Sequence, residues 1–294
     1  MALRDGTVDT PDGLRVHYTV EGPEDGTQHA PPLLCAAGGP GRAAEYLGAL
    51  GGLTTSRAVV RVDTRGTGRS TAPHDPSGYA VERLADDLEA VRRDLGSDRV
   101  DVLGHSAGGP VALAYAARSP EAVRRLVLVT TYLDGGPDLD AERERIRGTR
   151  AGESWYPEAL DALEGMPYAR AAERQRLSRL QRPFYYGVWD GRTQAHAAAA
   201  DHQMTPRAET AISAALQEAR GRAGDLVAAV TRAGVPVLVV AGALDVITPP
   251  SGCRRLADSL PQARFVELDG VGHFPWVDGP EPFAGAVGAF LDEQ

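Results

Sequence analysis

VDVLGHSAGGPVALAYA, residues 100–116, changes character at its middle. Val100 to Leu103 is a short apolar run of β-leaning residues. Ser106 to Ala116 is small-residue, helix-compatible sequence. Between them stands Gly104-His105-Ser106-Ala107-Gly108. A strand that turns sharply into a helix needs small neighbours at the corner. Such a corner lifts the Ser106 hydroxyl out of the sheet and aims the Ala107 N–H at the same point. A chance G-x-S-x-G is common in a glycine-rich chain, so the flanking strand and helix carry the weight here.

Working outward, six apolar runs have the same β character: Leu33 to Ala37, Ala58 to Val62, Val100 to Leu103, Leu126 to Thr130, Val235 to Ala241 and Arg264 to Leu268. Near-continuous Val and Leu predicts strands buried on both faces, as in a parallel sheet. Ala80 to Leu95, Pro110 to Ala117 and Pro280 to Leu291 have helical spacing. Gly6 to Thr10 and Leu14 to Val20 read as a hairpin around Pro11-Asp12-Gly13. The alternation predicts an α/β fold with a mostly parallel, doubly wound sheet. It stops after Thr131 and resumes near Asp225. We therefore expect a discontinuous core, residues 1–131 and 224–294, with a helical lid at 132–223.

The 294 residues carry a net charge of −9, and the arginine-rich stretches are interleaved with glutamates. That argues against a nucleic-acid partner. No apolar run approaches the ~20 residues of a spanning helix, so no membrane partner is expected. The first ten residues lack a signal pattern, and Cys35 and Cys253 read as reduced core thiols. Together these predict a cytoplasmic protein. Lysine and asparagine are absent, so no lysine can act as base or Schiff-base former. Nothing in the sequence fixes the oligomeric state.

A serine hydroxyl needs a base, and the base needs an orienting acid. Of seven histidines, His273 follows the last predicted strand. His105 adjoins the serine and should point elsewhere. His17, His29 and His74 fall in N-terminal strand or loop sequence, and His196 and His202 in the lid. Asp245 sits on the loop after Val235 to Ala241, and Asp134, after the preceding strand, is the backup acid. The turn Ala36-Ala37-Gly38-Gly39-Pro40-Gly41 offers Gly39 N–H as a second oxyanion donor beside Ala107 N–H. The same turn supports a competing reading. Gly39-Pro40-Gly41-Arg42-Ala43-Ala44 with Asp63 imitates a dinucleotide fingerprint, which would suit an NAD-dependent oxidoreductase but leaves Ser106, Asp245 and His273 without a role.

Ala37-Gly38-Gly39-Pro40-Gly41 resembles the HGGPG motif of prolyl iminopeptidases, and Asp63-Thr64-Arg65-Gly66-Thr67-Gly68-Arg69-Ser70 resembles their D-x-R-G-x-G-x-S segment. The elbow at Ser106, the G-x-x-D ending in Asp245 and the Gly272-His273 loop are similar to the wider α/β-hydrolase superfamily, in which the order is Ser, Asp, His. The resemblance implies an α/β-hydrolase fold and a serine hydrolase whose triad is Ser106, Asp245 and His273. It departs at Ala37, where the family has a histidine that braces the oxyanion loop. By the same resemblance, Asp190 in Gly187-Val188-Trp189-Asp190 is the counterpart of a lid acid that binds a substrate amine.

Aromatic residues gather in the lid and beside the base, and Trp155, Tyr185, Trp189 and Phe274 are expected to wall the pocket. The expected substrate is a medium-sized apolar small molecule or short peptide, cleaved at an amide or ester without metal or organic cofactor. An esterase, a lactonase or an acyltransferase on the same triad is the alternative. A non-catalytic ligand binder is the remote one.

Overall fold

The computed structural model describes residues 2–23, 30–134 and 136–293, which leaves His29 outside. The predicted hairpin forms β1 (Ala2–Asp9) and β2 (Arg15–Gly22). The apolar runs become β3 (Leu33–Ala36), β4 (Val59–Val62), β5 (Val100–His105), β6 (Val123–Val129), β7 (Val237–Gly242) and β8 (Ala263–Leu268). Helices α1 (Val81–Asp94) and α2 (Gly108–Arg118) flank β5. Between β6 and β7 run α3 (Leu139–Gly148), α4 (Tyr156–Gly165), α5 (Ala171–Leu180), α6 (Gly191–Gln203), α7 (Pro206–Arg220) and α8 (Ala223–Ala233). The chain ends with α9 (Pro250–Asp258), α10 (Pro275–Asp278) and α11 (Pro280–Asp292).

The strands form one eight-stranded sheet in the order β1-β2-β4-β3-β5-β6-β7-β8. β1 and β2 are antiparallel, as are β2 and β4, with Tyr18 opposite Val62. Every later pair is parallel. Alternate residues of β3 explain the unbroken apolar runs. Leu34 and Ala36 join one buried cluster with α1, α2 and α9, while Leu33 and Cys35 join another with α11. Both faces of β3 are covered by apolar side chains, so this strand reads as apolar on both sides. Cys35 and Cys253 are buried and unpaired, and burial pushes the Cys35 thiol up to about 12.

β6 starts earlier than its apolar run. Arg124 and Arg125 lie inside it, neutralised by Asp101 at 2.5 Å and Glu293 at 3.5 Å. Arg65 of the D-x-R-G-x-G-x-S segment is a brace. Its buried guanidinium joins Asp87 at 2.5 Å and Asp12 at 2.8 Å. Among the described residues no helix is long and apolar enough to cross a membrane.

Candidate active site

Ser106 stands at the corner between β5 and α2 with φ +51°, the left-handed region. A non-glycine residue there costs about 1–3 kcal/mol, which the surrounding packing must hold. The small neighbours are required by space. A Cβ at Gly104 would lie 2.7 Å from Ala112 Cβ, and one at Gly108 would lie 2.2 Å from Ala36 O. β5 and α2 can therefore approach closely enough for the serine to project above the sheet edge.

His273 follows β8, and Asp245 follows β7. The Ser106 hydroxyl donates to His273 Nε2 across 3.0 Å, and His273 Nδ1–H donates to Asp245 Oδ2 across 2.8 Å. Asp245 is fully buried. Its Oδ1 accepts from Ile247 N–H at 2.7 Å and Thr248 N–H at 3.0 Å, and Oδ2 accepts from Thr248 Oγ1 at 2.5 Å. These bonds fix the direction of the carboxylate. His273 N–H donates to Tyr185 O at 2.7 Å, so the segment before α6 is tied to the loop carrying the base. Asp134 is exposed and accepts Gly136 N–H instead.

Gly39 and Ala107 both line the cavity at Ser106. With alanine at position 37, the residue bonded to the glycine turn is Tyr46. Its hydroxyl accepts Gly38 N–H at 2.8 Å and donates to His105 Nδ1 at 2.7 Å. His105 Nε2–H then donates to the His273 carbonyl at 3.0 Å. One buried chain of hydrogen bonds thus links the oxyanion turn to the loop of the base. His105 is buried, bonds Tyr46 and the His273 carbonyl rather than Ser106, and still forms part of the cavity lining; burial, above all, holds its pKa well below the usual histidine value.

The cavity at Ser106 and His273 has a volume of about 1140 Å³. Tyr185 and Phe274 line it as expected. Three other expected residues do not. Asp190 is exposed and caps α6, its carboxylate accepting Arg192 N–H and Thr193 N–H at 3.0 Å each. Trp189 stacks behind Tyr186, ring centroids 5.6 Å apart. Trp155 packs edge-on to Phe184 at 5.2 Å in a separate cluster. Asp190→Ala is accordingly expected to cost about 1 kcal/mol of stability as a lost cap. It should leave KM for an amino-acid anilide unchanged, which thermal melts and initial rates check.

Two acids do reach the cavity wall, Asp201 on α6 and Glu209 at the start of α7. Arg42 reaches it too. None of the three was picked out as a site residue from sequence. The glycine turn that contains Arg42 does not support the dinucleotide reading. It runs into a short 3₁₀ turn, Ala44–Leu47, not a long helix. Asp63 is engaged by Ala44 N–H at 2.8 Å, Arg69 N–H at 3.1 Å and the His17 ring at 2.8 Å.

A family model described as the α/β hydrolase fold matches residues 31–280. The proposed carbamate hydrolase RutD of Caulobacter vibrioides is 30% identical over 292 residues, 99% of each chain. The proline iminopeptidase of Heyndrickxia coagulans is 24% identical, over 89% of this chain and 90% of that one. The crystal structure of the enol-lactonase from Burkholderia xenovorans LB400 superposes with a TM-score of 0.72 at 26% identity, covering 98% of this chain and 100% of the other. Strand order, the helices between β6 and β7 and the match over most of the length agree: the chain belongs to the α/β hydrolase fold family and is a hydrolase.

Proposed function

We propose that the protein is a serine hydrolase that cleaves a carboxylic ester through an acyl-enzyme. The observation that carries this reading is the Ser106–His273–Asp245 alignment, 3.0 and 2.8 Å between partners, on a strained elbow. His273 Nε2 takes the Ser106 proton as Oγ attacks the carbonyl carbon. Asp245 keeps the proton of His273 on Nδ1 and stabilises the imidazolium. Gly39 and Ala107 N–H hold the oxyanion, where preorganised donors act most strongly. The imidazolium protonates the leaving oxygen, and water repeats the sequence on the acyl-enzyme. Helices α3 to α7, within residues 132–223, serve as the lid over a core of 1–131 and 224–294. The buried, unpaired thiols support a cytoplasmic location.

An ester is favoured over a peptide because the expected amine-binding acid, Asp190, caps a helix. Glu209 on the cavity wall favours a second reading, an aminopeptidase. Its carboxyl is raised by burial and would bind a substrate ammonium. Rates on short 4-nitrophenyl esters and on proline 4-nitroanilide, with Ser106→Ala as blank, decide between them. Ser106-dependent ester cleavage is expected. Preference for the anilide would move the assignment to the aminopeptidase. No turnover of either, with no fluorophosphonate labelling, would overturn the serine mechanism.

Tyr46→Phe tests the brace. It strips Gly38 N–H and His105 Nδ1 of a buried partner, at a cost of about 1–3 kcal/mol. The expected kinetic result is a fall in kcat with KM little changed, because the oxyanion turn loosens while the cavity persists.

A further inference from the structure

Six arginines are buried: Arg42, Arg57, Arg61, Arg65, Arg125 and Arg150. Five have a carboxylate. Arg57 meets Asp292 at 2.6 Å, Arg61 meets Glu21 at 2.9 Å, and Arg65 meets Asp87 at 2.5 Å. Arg125 meets Glu293 at 3.5 Å and Arg150 meets Glu153 at 3.3 Å. Arg42 is 5% exposed and has no ion pair among the described residues. It is also the one of the six that lines the cavity with Ser106 and His273.

The groups that touch the Arg42 guanidinium are neutral. Nε donates to Gln203 Oε1 at 2.7 Å, and Nη2 donates to the His196 carbonyl at 3.1 Å. Cζ lies 4.5 Å from the Tyr46 ring centroid and 5.6 Å from that of Phe274. His196 is kept uncharged, its pKa lowered to about 4 by burial and then by the Arg42 charge. A buried cation without a countercharge is costly, and the open side of this one is the cavity. Of the two acids on the wall, Asp201 is already held by Arg182 at 2.6 Å and Arg179 at 3.0 Å. Glu209 makes no ion pair with Arg42 among the described residues, although both line the cavity.

The location gives the missing anion a place on the substrate. A Cβ at Gly39 would lie 2.8 Å from Arg42 Cβ, so Arg42 arises beside the oxyanion donor. We propose that the substrate carries a carboxylate in addition to its scissile carbonyl, and that Arg42 is the residue that selects it. The chemical class is a monoester or lactone of a dicarboxylic acid, with an apolar body against Tyr185 and Phe274. This rests on the ester-hydrolase reading and narrows it. The guanidinium fork suits a carboxylate, and the aromatic faces exclude water from the pair.

Arg42 also fastens α6 to the glycine turn through Gln203 and His196, beside the backbone bonds of Ala43 N–H to Gln203 O at 2.9 Å and Thr205 N–H to Gly41 O at 2.9 Å. A clamp alone would treat charged and neutral substrates alike, and the experiment separates the two roles. Wild type, Arg42→Gln and Arg42→Lys are compared on 4-nitrophenyl hydrogen glutarate and on its neutral counterpart, 4-nitrophenyl methyl glutarate. Wild type is expected to favour the charged ester about tenfold or more in kcat/KM, as for a hydrogen bond to a charged group. Arg42→Gln should erase that ratio through KM, and Arg42→Lys should retain part of it. A wild-type ratio at or below one, or a ratio unchanged in Arg42→Gln, overturns the proposal. Calorimetry of phenylacetate against phenylacetamide on Ser106→Ala gives a readout without turnover. Tighter binding of phenylacetate supports the anion site even if Arg42→Gln fails to fold, and equal binding refutes it. If neither ester is hydrolysed, the hydrolytic reading fails while this binding result still decides the anion site.

Discussion

Ser106→Ala is expected to reduce kcat on a 4-nitrophenyl ester by about 10³-fold or more, with the melting curve nearly unchanged. The size of the effect follows from geometry. Oγ is the only atom of the residue that meets His273, at 3.0 Å. The corner that presents it is held by the close approach of β5 and α2, which alanine leaves intact. Fluorophosphonate labelling should disappear in the same variant. Asp245→Asn should be nearly as damaging, because an amide would disturb the tautomer that Asp245 enforces on His273 through their 2.8 Å bond. Full activity in Ser106→Ala would falsify the assignment of the nucleophile.

Acidification is expected to destabilise the fold by about 2 kcal/mol between pH 7 and pH 5 through the buried His196, and in the same direction through the buried His105. Burial is the first cause for both His105 and His196, and each is held below the usual histidine pKa, His196 at about 4. The sign follows from proton uptake. Above about pH 6.5 neither folded nor unfolded histidine is protonated, and the contribution to stability is complete. Below that value the unfolded chain binds a proton and the folded chain does not, so stability falls by about 1.4 kcal/mol per pH unit per group until the folded pKa is reached. Urea melts of wild type and His196→Gln at pH 7 and pH 5 check this. The variant should lose about 2 kcal/mol less than wild type over that interval. Equal losses would mean that His196 takes up its proton in the folded state as readily as in the unfolded one. Differences between variants cancel the carboxylates, which titrate in both.

The position of Ser106, Asp245 and His273 was legible because each follows a strand, and strands declare themselves by local apolar runs. The sheet, the helices flanking it and the helical stretch after Thr131 follow from the same short-range periodicity. The chemistry of the elbow was legible because the approach of α2 to β5 demands glycine at 104 and its approach to the end of β3 demands glycine at 108, requirements written into neighbouring residues. Where the pattern was interrupted, at Arg124 and Arg125, the edge of β6 was displaced, because their neutralising partners Asp101 and Glu293 lie far off in sequence.

The walls of the cavity were decided by tertiary structure. Asp190, Trp189 and Trp155 have the right chemistry for a binding site, yet their backbone places them at a helix cap or behind other rings. Arg42 lay inside a glycine turn that imitated a dinucleotide fingerprint. Its lack of a carboxylate partner among the described residues, unlike the other buried arginines, is a property of the packed molecule. By itself the sequence determined the strands, the elbow and the order of the triad, since these depend on spacing along the chain. Tertiary packing alone decided which side chains face the substrate and which charges stand unpaired, because both depend on residues such as Gln203, His196 and Tyr46 that meet only when α6 settles on the oxyanion turn.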